Sequence, residues 1–462
     1  MRPASIGPRS RRLDYNPAMP RLPVAIALSA CSCLMRAQAP VPLARSVQAQ
    51  LPALIETYKD FHRNPELSHH EEQTSAKFAA DLRQLGYTVT EHVGKYRDGS
   101  QAWGIVAILE NGPGPRLLIR TDLDALPVEE KTGVDYASHV HSTNAEGQPT
   151  SVMHACGHDI HMTALLGTAK ELAGRKSQWH GTVMLIGQPS EETIDGARAM
   201  LADNLYARFG KPDFVLGQHD DSSIAAGDVA IKGGPLLASS TSVDVVMRGI
   251  GSHGAHPDAG KDPIVMAAEF ILLAQTVVSR QTDPQSPAVL TVGTIHGGLK
   301  RNIIPEEVKM QLTLRAYSEP VRLHMIEAIR STANGVAIAY GVAPDRMPIV
   351  TVSETEVTPP TINDPAFADR LRAVAIATLG ADHVQTGRSE MGSEDFGLFS
   401  LDGTIPSVFV RLGAVDPGKL AESQKTGVPL PGPHSPFFAP VYEPTLRTGV
   451  TAMTALALDI LK

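Results

Sequence analysis

Cysteine is nearly absent. The chain of 462 residues has three, and two of them, Cys31 and Cys33, fall within the first forty residues. Cys156 is left alone in the long globular stretch, so no disulfide framework can form within one chain. A basic block is also missing. Lys and Arg total 41 against 49 Asp and Glu, a net charge of -8, which removes any general attraction to nucleic acid or an anionic membrane. No nucleic-acid partner is expected. No tandem repeat or low-complexity tract follows the leader, and the leader's apolar run, Leu22 to Met35, is too short to span a membrane comfortably. What is present, at 42% hydrophobic residues, is an ordinary soluble globular composition, long enough to bury a sizeable core and to divide into two domains.

Residues 1–39 read as a targeting segment. Arg9, Arg11, Arg12 and Arg21 precede the apolar run, the order of a secretory signal. Ala37-Gln38-Ala39 fits a small-x-small cleavage site, whereas Leu28-Ser29-Ala30-Cys31 resembles a bacterial lipoprotein box with Cys31 as the lipid anchor. Met19 to Ala39 forms a compact signal by itself. Export to a bacterial periplasm is expected, by cleavage or by anchoring. A single thiol in an oxidising compartment is easiest to explain if a metal holds it as thiolate.

That thiol lies in the richest stretch of the chain, Met153-His154-Ala155-Cys156-Gly157-His158-Asp159-Ile160-His161. A segment with apolar residues at helical spacing follows, so ligand types crowd the junction of a loop and a helix. Thiolate plus imidazole from Cys156 and His158 suits zinc or a similar divalent transition metal. His154 and His161 read as pocket-lining or surface residues rather than ligands.

Elsewhere, apolar strands alternate with helices. Arg116 to Thr121 delivers Asp122-Leu123-Asp124, Thr182 to Gln188 delivers Pro189-Ser190-Glu191-Glu192, and Asp213 to Gly217 delivers Gln218-His219-Asp220-Asp221. This pattern predicts a largely parallel sheet covered on both faces, with its site outside the carboxyl ends of the strands. From about Ser240 the order becomes β-α-β-β-α, that of a small ferredoxin-like α+β domain inserted in the larger one. The expected division is a catalytic domain built from two segments, 44–239 and 358–462, separated by the inserted domain over 240–357. Alternation sends the carboxylates of Asp122 and Asp124 to one face, where they can orient His158 or another ligand. Ser68 is placed to cap the helix that follows it.

Seven motifs occur in order: Thr-Asp-Leu-Asp-Ala-Leu-Pro (121 to 127), Met-His-Ala-Cys-Gly-His-Asp (153 to 159), Gln-Pro-Ser-Glu-Glu (188 to 192), Gly-Ser-His-Gly-Ala-His-Pro (251 to 257), Arg-Asn-Ile-Ile-Pro (301 to 305), Gly-Ser-Glu-Asp-Phe (392 to 396) and the late His434. Together they resemble the aminoacylase/carboxypeptidase-type metallopeptidases, most closely the amidohydrolase branch with hippurate hydrolases and plant auxin-conjugate hydrolases. The resemblance runs from about Ala44 to Lys462. It implies an α/β catalytic domain with a dinuclear metal centre and an inserted lid that also dimerises. Carried over residue by residue, it implies Cys156, His158, Glu192, His219 and His434 as ligands of two divalent ions, which could be zinc, manganese, cobalt or nickel. It implies Glu191 as general base and then acid, His253 as a donor to the oxyanion, and Asn302 as a donor to the substrate's carboxylate; Arg301 reads either as an assistant to Asn302 or, more commonly for such a position, as an exposed arginine. The family continues its Gly-x-His with Val and a Pro-containing stretch, whereas here Asp220-Asp221-Ser222-Ser223 follows His219. The implied activity is cleavage of the amide of an N-acyl or N-aroyl amino acid or a small dipeptide-like substrate. A carboxypeptidase acting on short peptides and a catalytically silent binding protein are the alternative readings.

Overall fold

Four strands buried on both faces set the frame: Gly181–Gln188, Arg116–Asp122, Phe214–Ala225 and Ser407–Val415. They lie side by side in that order, all parallel, at the centre of an eight-stranded sheet. Ile105–Asn111 and Thr88–Thr90 extend one side antiparallel, and the short Val229–Ala230 and Val384–Gln385 complete the other. The computed structural model describes residues 41–462. The expected targeting segment, with Cys31 and Cys33, lies outside the described residues.

Successive residues of these strands feed different cores. Leu117, Ile119, Val183 and Leu185 pack with the helices Leu43–Arg63, His158–Gly174 and Tyr442–Ile460, while Leu118, Met184 and Ile186 face Met200, Phe396 and Phe399. A sheet covered in this way requires nearly continuous apolar strands, as seen here. Parallel register brings Asp122 opposite Gln188, and His219 opposite Arg411. The polar residues after or near those positions therefore gather at one end of the sheet.

The 240–358 stretch forms a separate four-stranded antiparallel sheet of Ala288–Gly297, Glu307–Ala316, Ser240–Arg248 and Ile349–Thr358, in that order. Helices Pro263–Thr276 and Glu319–Ala339 cover one face, and the enclosed core, with Phe270, Met310 and Ile329, belongs to this layer alone. The strand order is ferredoxin-like, so the fold is α/β with an inserted α+β layer.

Two local expectations change. The inserted layer ends in a fourth strand, Ile349–Thr358, which the sequence pattern did not suggest. Val350 and Val352 alternate towards the lid core, but Ser353 to Glu356 are exposed or half-buried, so the apolar alternation that marks a strand is cut short. Ser68 does not cap the helix Glu72–Gln84; its hydroxyl donates to Asp124 Oδ2 at 2.7 Å.

Candidate metal centre

Helix His158–Gly174 begins immediately after Gly157, whose φ of 81° is the left-handed conformation that glycine adopts without strain. This start sends the His158 ring back towards the sheet. His158 Nδ1 donates to the main-chain oxygen of Asp124 at 2.8 Å, and Nε2 is buried without a hydrogen-bond partner. His219 repeats the arrangement from its strand. Its Nδ1 donates to the Asp220 carbonyl at 2.8 Å, and its Nε2 lies 3.5 Å from Cys156 Sγ. A carbonyl on Nδ1 selects the tautomer whose Nε2 lone pair is free for a metal. Cys156, His158 and His219 thus offer donor atoms within 4.8 Å of one another, and Cys156, Glu192 and His434 form a second such group.

Glu191 and Glu192 are presented by a strained loop. Ser190 has φ 52°, and the buried Glu71 carboxyl accepts both its N–H, at 2.7 Å, and its hydroxyl, at 2.9 Å. Tyr96 adds a 2.5 Å contact to the same hydroxyl. The Glu192 N–H donates to Asp124 Oδ2 at 3.0 Å. With its backbone pinned, the loop sends Glu192 to His434 Nε2, 3.3 Å away, while Glu191 comes within 3.8 Å of His158 Nε2. His434 also takes a positive φ, 69°, held by its N–H bond to the Ala155 carbonyl.

The site concentrates buried anions. Burial, then Glu394 and Glu192, pushes Glu191 well above the usual carboxylate range. Burial raises Glu192 to about 7, and burial with Glu192 and Glu191 nearby raises the Cys156 thiol. Burial alone would lower His158, but Asp122 and Asp124 outweigh it and raise its pKa. A positive charge is favoured here. Two divalent cations would supply it, and the unpartnered His158 Nε2 and Glu192 Oε1 are donor atoms suited to receive them.

Asp122 Oδ2 lies 3.7 Å from His158 Nε2. Arg120 is fully buried and donates to Asp122 at 2.7 Å, Glu394 at 2.8 Å, Asp395 at 3.2 Å and Gln188 at 2.8 Å. Asp122 in turn accepts from His161 Nδ1 at 2.8 Å. His161 Nε2 accepts the Asp220 N–H at 2.9 Å, which leaves it no lone pair for a metal. His154 and His161 are both buried, contrary to the surface role their sequence context suggested. The helix that packs on the sheet from its first turn turns His161 inward, and His154 is buried in the loop that leads into it.

Cys156, Glu191, Glu192, His219 and His434 line one cavity of about 420 Å³ together with Arg315. Arg315, from the inserted layer, was not legible as a site residue: on its strand it simply alternates with buried Leu314 and Ala316. In the structure it is half-buried, donates to the Ser393 hydroxyl and has no carboxylate partner among the described residues. Arg120 did leave a trace, as a charge inside an apolar strand. His253 and Asn302 do not line this cavity. Both are exposed on a two-stranded ribbon of the inserted layer, where the Gly254 N–H donates to the Asn302 carbonyl at 2.8 Å.

A family model for peptidase family M20/M25/M40 matches residues 118–457. The chain belongs to this family. The M20 chain is 35% identical to the hippurate hydrolase of Campylobacter jejuni over 340 residues, 73% of this chain and 82% of that one. It is 34% identical to thermostable carboxypeptidase 2 of Saccharolobus solfataricus over 409 residues, 88% and 94% of the two chains. Among solved structures, a dinuclear metal binding peptidase of the M20 family from Bacillus subtilis superposes with a TM-score of 0.72 at 28% identity, covering 90% of this chain and 99% of that one. The M20 chain is a metal-dependent hydrolase of amide bonds.

Proposed function

We propose that the protein hydrolyses the amide of N-acyl or N-aroyl amino acids, or of small dipeptide-like substrates, with two divalent ions per subunit. The observation that carries this reading is the meeting of four ligand residues (Cys156, Glu192, His219 and His434), a separate buried carboxyl at Glu191 and a carboxylate-free guanidinium at Arg315 around one cavity sized for a small substrate, with the fifth ligand, His158, grouped beside Cys156 and His219. Cys156, His158 and His219 would hold one ion, and Glu192 and His434, with Cys156 shared, the other. Bound divalent ions supply Lewis acidity and lower the pKa of water. Glu191 takes the proton of the attacking water and returns it to the leaving nitrogen, a role that suits a carboxyl whose pKa burial has raised. Arg315 grips the terminal carboxylate of the substrate, as a planar guanidinium does best.

His253 and Asn302 complete the site when the lid closes or when a second copy supplies them. Their exposure on one ribbon supports this assignment. The lid also carries the surface for a homodimer: helix Pro263–Thr276 exposes Ile264, Val265, Leu272 and Leu273, and Ala288–Gly297 is an edge strand. The segment Pro263–Gln281 is long and apolar enough to cross a membrane by length and composition, but Met266, Phe270 and Ala274 anchor it in the lid core. A partner copy suits that face better than a bilayer. Sedimentation of the purified protein tests the dimer, and N-terminal sequencing of protein from a periplasmic fraction tests export.

The reaction is tested with a panel of N-acyl amino acids and unblocked dipeptides, using enzyme stripped with chelator and reloaded with zinc, manganese, cobalt or nickel. Turnover should depend on metal and favour the blocked substrates. Glu191→Gln should lower kcat by roughly 10²- to 10⁴-fold with metal content unchanged. Stoichiometric metal binding without cleavage of any amide would point to a binding protein instead.

A further inference from the structure

The pair Asp220-Asp221 follows the ligand His219, and its two carboxylates have different surroundings. Asp221 is paired: Arg411 Nε lies 3.1 Å from its Oδ2. Asp220 is fully buried, and neither carboxylate oxygen has a hydrogen-bond partner. Its Oδ1 lies 3.3 Å from His219 Nδ1 and 3.4 Å from His161 Nε2. On the other side it rests against Gly157, where a Cβ would fall 2.2 Å from Oδ2. The main chain of the same residue holds both rings, since its carbonyl accepts from His219 Nδ1 at 2.8 Å and its N–H donates to His161 Nε2 at 2.9 Å. The hydrogen bonds that the two rings make to residue 220 therefore go to its backbone, and its carboxylate gains only their proximity.

A buried carboxylate without hydrogen bonds is costly unless charge compensates it. The compensating charge can sit on the far side of His219, where Nε2 faces Cys156. We propose that Asp220 is a positioning residue for the metal centre. Its carboxylate, enclosed by Gly157, His161 and His219, places a negative charge behind the His219 ring and so tightens the binding of a divalent transition metal ion at Cys156, His158 and His219. A carboxylate close to the non-ligating nitrogen raises the basicity of a ligand histidine, and loss of such a partner typically costs 10- to 100-fold in metal affinity. The inference rests on the dinuclear reading above. It adds the chemistry of the stretch in which this chain departs from the pattern it resembles.

The test compares metal-stripped wild-type protein with Asp220→Asn, titrating each with cobalt(II) followed by visible absorption, then with zinc in competition with a chelating dye. In the wild type, two ions should bind, with a thiolate-to-cobalt charge-transfer band from Cys156. In the variant, one of the two should bind on the order of 10- to 100-fold more weakly, with the band still present at saturation. The metal-free variant should still melt cooperatively, so that the weaker binding is read on folded protein. Asp220→Ala, which removes the carboxylate without adding a donor, carries the same expectation should the Asn variant fold poorly. Wild-type affinity at both sites of the variant, with or without a loss of metal-free stability, overturns the role of Asp220 while leaving the dinuclear centre intact. Failure of the wild type to bind metal overturns both.

Discussion

His158 Nδ1 lies 2.8 Å from the main-chain oxygen of Asp124, and this bond decides which face of the imidazole meets the metal cavity. Because the acceptor is a carbonyl, it can take only an N–H, so the lone pair stays on Nε2, which is buried and unpartnered. The Asp124 side chain meanwhile accepts from Ser68 and from the Glu192 N–H. One residue therefore fixes both proposed ligands, His158 through its backbone carbonyl and the Glu192 backbone through its carboxylate.

Metal uptake should release protons. Glu192 sits at about 7 and the Cys156 thiol is raised, both chiefly through burial, and each must lose its proton to act as a ligand. Zinc affinity should therefore fall as pH drops through 7. Calorimetry in two buffers of different ionisation enthalpy should count more than one proton released at pH 6; a heat independent of buffer would contradict this.

Replacing Arg120 should unfold more than it empties. Its guanidinium compensates Asp122, Glu394 and Asp395, all buried. Arg120→Met leaves three carboxylates around an apolar side chain and should cost about 3–5 kcal/mol, read as a shift of the urea midpoint at constant m. Arg120→Lys should recover only a fraction of this, because an ammonium cannot reproduce the fork.

His62 predicts the alkaline side of the stability curve. Burial would lower its pKa, but hydrogen bonds to Asp159 at 2.6 Å and Glu130 at 3.1 Å outweigh this and raise it from 6.5 to about 9. A raised folded-state pKa means stability fully present below the unfolded value and lost as pH rises through the folded one. Between pH 6.5 and 9 the wild type should lose on the order of 3 kcal/mol that His62→Gln does not lose. Parallel stability profiles for the two proteins across that window would rule this out.

Arg315→Met should act on binding. KM for substrates with a free terminal carboxylate should rise on the order of 10- to 100-fold, the value of a charged hydrogen bond, with kcat changed less. Amidated substrates should lose little. If both substrate types suffer equally, Arg315 supports the lid rather than the carboxylate.

Much of this was legible along the chain. Apolar strands that run into Asp122, Glu191 or His219 bury their middles in the sheet and deliver their polar ends to one side, so in a parallel sheet the polar clusters meet at the carboxyl end of the strands. Cys156 and His158 are donors by chemistry, wherever they lie. Less could be read where the signal is weak. Ile349–Thr358 forms a strand because Ser240–Arg248 offers it a ladder, and its own alternation stops after Val352.

The linear sequence determined the donor types, the apolar strand cores and the order in which elements enter the sheet, because these follow from side-chain chemistry and local periodicity. Tertiary structure alone decided the role of each donor. His161 and His219 are equal as residues, yet one spends Nε2 on the Asp220 N–H and the other keeps it free beside Cys156. Arg315 and Arg120 are likewise both strand cations until the fold leaves one beside a cavity and surrounds the other with carboxylates. A hydrogen bond between residues far apart in sequence depends on where the packed chain places both partners, and no local pattern encodes that.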